Sequence, residues 1–202
     1  DLYYVDIEDD KIAGEITNMG PDINTENDEV FPFIFSDKYL FYSSNKGSNE
    51  KFNIYLATNK IFNRWQKSIL SEPFNSEYDD TSFSIDLKTK TGFISSNRKG
   101  GKGDDDIYAF RFTPKIEGEE DSYNFFGTDT LAVGSNTILK NDREKMKKND
   151  PLTQLIPLNV RIVGGATNGK LNLNPNGTFW NKANSNEFKK DSFSYRLISD
   201  FG

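Results

Sequence analysis

Apolar residues in the first half of the chain gather in short clusters, separated by polar stretches that carry glycine. Val30, Phe31, Phe33 and Phe35 form an aromatic run, Asp37-Lys38 reads as a turn, and Tyr39-Leu40-Phe41-Tyr42-Ser43 returns from it. Ser44 to Lys51 is a polar loop, Phe52 to Ala57 opens the next aromatic-rich strand, and Trp65 to Leu70 makes a fourth short strand before Pro73. Aromatic and β-branched clusters bounded by Asp, Asn, Gly and Pro predict strands joined by tight turns. In the second half Gly169 to Asn174 alternates, with Leu171 and Leu173 on one face and Asn172 and Asn174 on the other. Asn174-Pro175-Asn176-Gly177 reads as a turn in which Pro presets φ and Asn-Gly takes positive φ, and Thr178-Phe179-Trp180 returns to close a hairpin. Asp191 to Ile198 alternates again, with Phe193, Tyr195 and Leu197 inward.

The first-half pattern recurs. Asp1-Leu2-Tyr3, Asn53-Ile54-Tyr55 and Asp106-Ile107-Tyr108 are copies of one tripeptide. Ser43-Ser44-Asn45-Lys46 returns as Ser95-Ser96-Asn97-Arg98, and Asn24 to Glu29 returns as Asn75 to Asp80. All three landmarks share a period of about 52 residues, which is the length of one four-stranded propeller blade. A β-meander that repeats for generic reasons is the alternative.

Residues 35–47, Phe-Ser-Asp-Lys-Tyr-Leu-Phe-Tyr-Ser-Ser-Asn-Lys-Gly, followed by Asn53-Ile54-Tyr55, resemble the TolB-like β-propeller repeat. The second copy, from Ser95 to Tyr108, is closer still, and looks like the version in surface and periplasmic proteins of Gram-negative gliding bacteria. The motif has a local rationale: Asn97 and the glycines are expected to supply positive φ in the loop. Asp106 can satisfy loop N–H groups or meet Arg98. Two periods do not close a propeller of four to eight blades, so further domains or chains are expected to complete it. The start at Asp1, with neither Met nor a basic leader, reads as a mature product or an excised piece.

Around residues 114–120 the period stops in a charged linker. Beyond it, Asp129 to Val133 reads as a strand, Arg143 to Asn149 as a basic, helix-tolerant stretch forming one loose turn or an insertion, and Leu158 to Val163 as another strand. Ile138-Leu139-Lys140-Asn141-Asp142, Thr167 to Leu171, Pro175 to Phe179 and Asp191 to Tyr195 resemble, in this order, bacterial cadherin-like repeats of immunoglobulin fold. Related repeats often carry several Asp after the Asn-Asp pair, where this chain has Arg143-Glu144-Lys145-Met146-Lys147-Lys148. The substitution of bases for acids weakens a calcium role for that loop.

The expected fold is therefore all-β: about two blades of a partial propeller over 1–113, a linker over 114–120, and a cadherin-like β-sandwich over 121–202 whose closing strand is missing. Composition narrows the chemistry. With no Cys and no His, thiol, disulfide, zinc–thiolate and imidazole chemistry are excluded. Seventeen Phe, nine Tyr and two Trp supply the core. A net charge of −6 disfavours nucleic acid, and no apolar run approaches the roughly 18 residues of a membrane span.

What catalysis remains would run on carboxylates, hydroxyls, Lys or Tyr. The triplet Asp104-Asp105-Asp106 after Gly103, and Asp142 with distant Asp150 and Asp200, are calcium candidates because hard cations take clustered oxygens. Asx turns and caps are the competing reading for the second set. Glu77, Asp79 and Asp80 are the best paired acids for a carboxylate-dependent glycan-processing enzyme. Their recurrence as Glu26, Asp28 and Glu29 argues against a unique catalytic site. The resemblances imply instead a non-catalytic protein- or glycan-binding scaffold at the bacterial envelope, in the periplasm, outer membrane or cell surface. Adhesion, envelope attachment, and gliding or secretion machinery fit it. A calcium-stiffened spacer is a further alternative. Trp65, Tyr78 and Trp180 read as core before sugar platforms.

Overall fold

The computed structural model describes residues 1–47, 50–60, 64–124, 130–134, 137–185 and 190–199. The chain divides into two compact units, Asp1–Thr113 and Pro114–Gly202. Both are built of antiparallel sheets, none of which closes on itself among the described residues.

In the first unit β1 (Tyr3–Glu8) and β2 (Lys11–Asn18) form a hairpin across Asp9 and Asp10, at φ 48° and 60°. A two-residue turn with both φ positive matches the right-handed twist of the strands it joins. Next comes a four-stranded meander of β3 (Glu29–Ser36), β4 (Tyr39–Ser44), β5 (Asn53–Asn59) and β6 (Trp65–Ile69). A three-stranded meander of β7 (Asp80–Asp86), β8 (Thr91–Ser96) and β9 (Asp106–Arg111) follows. The repeated tripeptide opens β5 and β9 and leads into β1, so these three strands hold equivalent places in the period.

Leu40-Phe41-Tyr42 is an unbroken apolar run because both faces of β4 are covered. Leu40 and Tyr42 bury with Leu2, Ile23 and Ala57, flanked by Met19, Tyr55 and Trp65. Phe41, pointing the other way, stacks on Phe83 of β7 at 4.1 Å between ring centroids. Phe74 meets Phe83 and Phe110 edge-on at 5.8 and 5.0 Å. Each such aromatic pair adds about 0.5–1.5 kcal/mol beyond its area burial.

The second unit holds β10 (Thr130–Val133), α1 (Leu139–Asn149), a 3₁₀ turn (Pro151–Leu155), β11 (Leu158–Gly164), β12 (Gly169–Leu173), β13 (Phe179–Ala183) and β14 (Ser194–Ser199). The strands pair as β10-β13-β12 and as β11-β14. The expected β12–β13 hairpin forms, with Leu173 opposite Phe179. In its turn Gly177 alone has positive φ, 83°, while Asn176 accepts the Thr178 N–H and hydroxyl through its side chain. A Cβ at Gly177 would press on Leu139 and Thr137.

Arg143–Asn149, helix-tolerant in the sequence, is more than one loose turn: it is the greater part of α1. The basic run conceals a single inward stripe: Leu139, Asp142 and Met146 are buried, at the i, i+3, i+7 spacing of one helical face. Lys147 and Lys148 in the last turn complement the negative end of the helix dipole.

Candidate functional site

Each repeat places an Asn, an acid pair and a Ser-Asn dipeptide where strands meet. Asn24 Oδ1 accepts the Leu2 N–H at 2.7 Å, and its amide donates to the Leu2 carbonyl at 2.9 Å. Asn75 does the same to Ile54, at 2.7 and 2.9 Å, and also reaches the Leu70 carbonyl. Asn45 accepts the Asp28 N–H and Asn97 accepts the Asp79 N–H, at 2.8 and 2.9 Å. Neither Asn45 nor Asn97 has positive φ; Asn97 works through its amide, and Gly100, at φ 100°, takes the strained position.

The second acid of each pair is buried. Glu29 accepts from the Thr25 N–H and hydroxyl and from the Ser44 hydroxyl. Burial pushes its carboxyl up, but those three hydrogen bonds outweigh it and hold the group below its ordinary value. Asp80, fully buried, accepts from the Ser76 N–H and hydroxyl and pairs with Arg98 Nη2. Arg98 also donates to Ser96 Oγ and to the Pro73 and Phe74 carbonyls, and its guanidinium lies 5.2 Å from the Tyr108 ring centre. Asp79 accepts from the Phe52 N–H and the Asn97 amide. Asp79 and Asp80 are thus engaged in joining strands, and the Glu77 carbonyl takes Lys51.

Of the calcium candidates, Asp106 accepts the Lys102 and Gly103 N–H groups at 2.7 and 3.1 Å, satisfying the loop while Arg98 goes to Asp80. Asp104 and Asp105 are exposed. Asp150 caps the 3₁₀ turn by accepting the Leu152 N–H, and Asp200 lies outside the described residues. Among the described residues, no three acids gather as a metal cage. Trp65 packs on the Leu40–Tyr42 core, and Tyr78 and Trp180 are half-buried.

Asp142 is the remaining candidate, and it stands in a cluster that sequence spacing does not suggest. Its carboxylate accepts the Glu119 N–H at 2.6 Å and the Tyr195 hydroxyl at 3.3 Å. The same hydroxyl lies 2.9 Å from Asp121 Oδ2 and 3.2 Å from the Glu119 carbonyl. Burial pushes both carboxyls above their ordinary values, and the Asp121 charge adds to the rise at Asp142. Burial and the two carboxylates push the Tyr195 hydroxyl up as well. Stretch 114–120 belongs to the second unit and is tied into it here, with Lys145 paired to Glu119. Asp191, which opens the last of the motifs resembling cadherin-like repeats, gathers the Thr167, Asn168 and Ser192 N–H groups. Burial raises its carboxyl, but these bonds hold it below its ordinary value.

The carboxylates of Glu29, Asp79, Asp80, Asp106, Asp121, Asp142 and Asp191 each have a local structural partner. The arrangement joins strands, loops and the helix start. No family model matches the chain, and neither does any curated protein sequence or solved structure.

Proposed function

We propose that the chain is a non-catalytic binding and scaffolding segment of a bacterial surface or outer-membrane-associated protein. In this reading the first unit supplies sheets of a TolB-like β-propeller and the second a cadherin-like β domain. The supporting observation is the equivalence of the two repeats. Asn24 and Asn75, and likewise Glu29 and Asp80, make matching strand-joining contacts, so the conspicuous polar residues build the scaffold. A carboxylate enzyme needs a general acid and a nucleophile or base facing one bond. Asp79 and Asp80 face Phe52, Asn97, Ser76 and Arg98 instead. The expected partners are protein or glycan at the cell envelope. No helix among the described residues is long and apolar enough to cross a membrane.

The test pairs two measurements on the purified chain: saturable binding to outer-membrane vesicles of a gliding bacterium, and turnover of a panel of chromogenic glycosides. Binding without turnover supports the scaffold. Turnover that Glu77→Gln abolishes would replace it with the enzyme.

A further inference from the structure

β9 occupies the place in its repeat that β5 occupies one period earlier, yet the two strands differ in their neighbours. β5 is hydrogen-bonded on both sides, by β4 and by β6. Among the described residues β9 pairs with β8 alone and forms the edge of its sheet. Ile54 turns its backbone outward, its carbonyl accepting the Leu70 N–H at 3.0 Å and its N–H meeting Asn75. Antiparallel pairing alternates, so in β9 the outward backbone groups are those of Ile107, Ala109 and Arg111. The edge carries no Pro, and its charged residues, Asp106 and Arg111, stand at its two ends, leaving Ile107 to Phe110 without a blunting charge.

Across the β7-β8-β9 sheet, reaching its β9 edge at Ile107, lies a shallow apolar depression lined by Phe93 and Ile107 with Ser82, Ser84 and Ser95. Ile107 is 76% exposed and Phe93 52%, whereas their repeat equivalents Ile54 and Phe41 are wholly buried. Phe41 lies under Phe83. Ile54 lies beside Leu70, itself 2% exposed, where the chain leaves β6.

From this contrast we propose that the open edge of β9 accepts an extended segment of a partner polypeptide. The segment adds antiparallel as a fourth strand, with an apolar side chain at the Leu70 position beside Ile107. The inference rests on the scaffold reading above and names its partner: a strand with an apolar anchor, recognised by main-chain pairing. Two-fold pairing of β9 with itself sets outward residues against outward residues, so Ile107 would face Ile107, Ala109 or Arg111 in place of the Leu that stands beside Ile54, and sedimentation separates that occupant from a partner strand.

The probe is a fluorescein-labelled peptide of residues 64–71, Arg-Trp-Gln-Lys-Ser-Ile-Leu-Ser, which carries this chain's own fourth strand. It is titrated with the full chain and followed by anisotropy. Saturable binding is expected. N-methylation at the Ser68 amide, which faces the neighbouring strand, weakens it at least about tenfold, while N-methylation at Lys67 changes it less than about twofold. Ile107→Asp, at an exposed position, weakens it similarly to the Ser68 methylation. Absence of saturable binding, or equal loss from both methylated peptides, overturns the proposal. So does a dimer in sedimentation that Ile107→Asp dissolves, which would make the occupant a second copy. Failure of the peptide to bind leaves the vesicle and glycoside results standing, whereas Glu77-dependent turnover removes the scaffold reading and leaves the edge measurement intact.

Discussion

Arg98 Nη2 and the fully buried Asp80 carboxylate lie 2.5 Å apart, and together they join the loop after β8 to the turn before β7. One period earlier the same positions are Lys46 and Glu29, and Glu29 accepts from Thr25 and Ser44, with no salt bridge to it among the described residues. The second repeat has therefore gained a planar fork that four oxygens occupy at once.

Arg98→Lys is expected to lower stability by about 2–3 kcal/mol, because an ammonium cannot reproduce the fork and a buried carboxylate loses its pair. Lys46→Ala, at the exposed equivalent, is expected to cost less than about 0.5 kcal/mol. Urea unfolding of the two variants checks the contrast; equal costs would refute it.

Asn75→Asp replaces two amide donors by a carboxylate facing the Ile54 and Leu70 carbonyls. A loss of about 3 kcal/mol is expected, larger than for Asn75→Ala, since repulsion adds to the unmade hydrogen bonds. Thermal melts of the two variants decide the order.

Gly92→Ala builds a Cβ into the Ser84 carbonyl oxygen and the Phe110 ring. The backbone oxygen is held by the β7–β8 ladder, so the side chain cannot simply displace it. A loss of about 3 kcal/mol, with blue-shifted or quenched aromatic near-UV signal, is the expected outcome. A native melting midpoint would show that the ladder yields.

The acids respond to pH with opposite signs. Asp121 has a raised native pKa, so its contribution is present below the unfolded carboxylate range and is lost as pH rises through the native value. Asp121→Asn should therefore gain stability relative to the parent at pH 7, and the gain should shrink toward pH 4. Glu29 has a lowered native pKa, so its contribution is present above the unfolded range and is lost as pH falls through the native value. Glu29→Gln should be less stable than the parent at pH 7, and the difference should fade in acid. Melting midpoints against pH for the three proteins test both signs.

Calcium provides a further check. Asp106 is engaged by two loop N–H groups, and Asp142 by Glu119 and Tyr195. The midpoint is expected to move less than about 1 °C between millimolar calcium and chelator, since binding to the folded state alone would raise it by mass action. A rise of several degrees, lost in Asp104→Asn with Asp105→Asn, would favour the calcium-stiffened spacer.

Most strand positions outside β2, the β12–β13 hairpin and the repeat were legible in the chain itself, because alternation, turn residues and a recurring tripeptide are short-range signals. Residue equivalence even paired Asn24 with Asn75 and Glu29 with Asp80 before their contacts were known. α1 was obscured because one of its three inward positions is the buried Asp142, so a charged run masked the helical stripe. Asp121, Asp142 and Tyr195 carry no joint signature; they meet only because the stretch after Thr113 lies against α1 and β14. The chain by itself determined that it is strand-rich and that its first half repeats, but not β2 or the three-stranded β7-β8-β9 sheet. Tertiary structure alone decided which polar groups are buried and whom they meet, because hydrogen-bond partners and desolvation depend on residues brought together by packing.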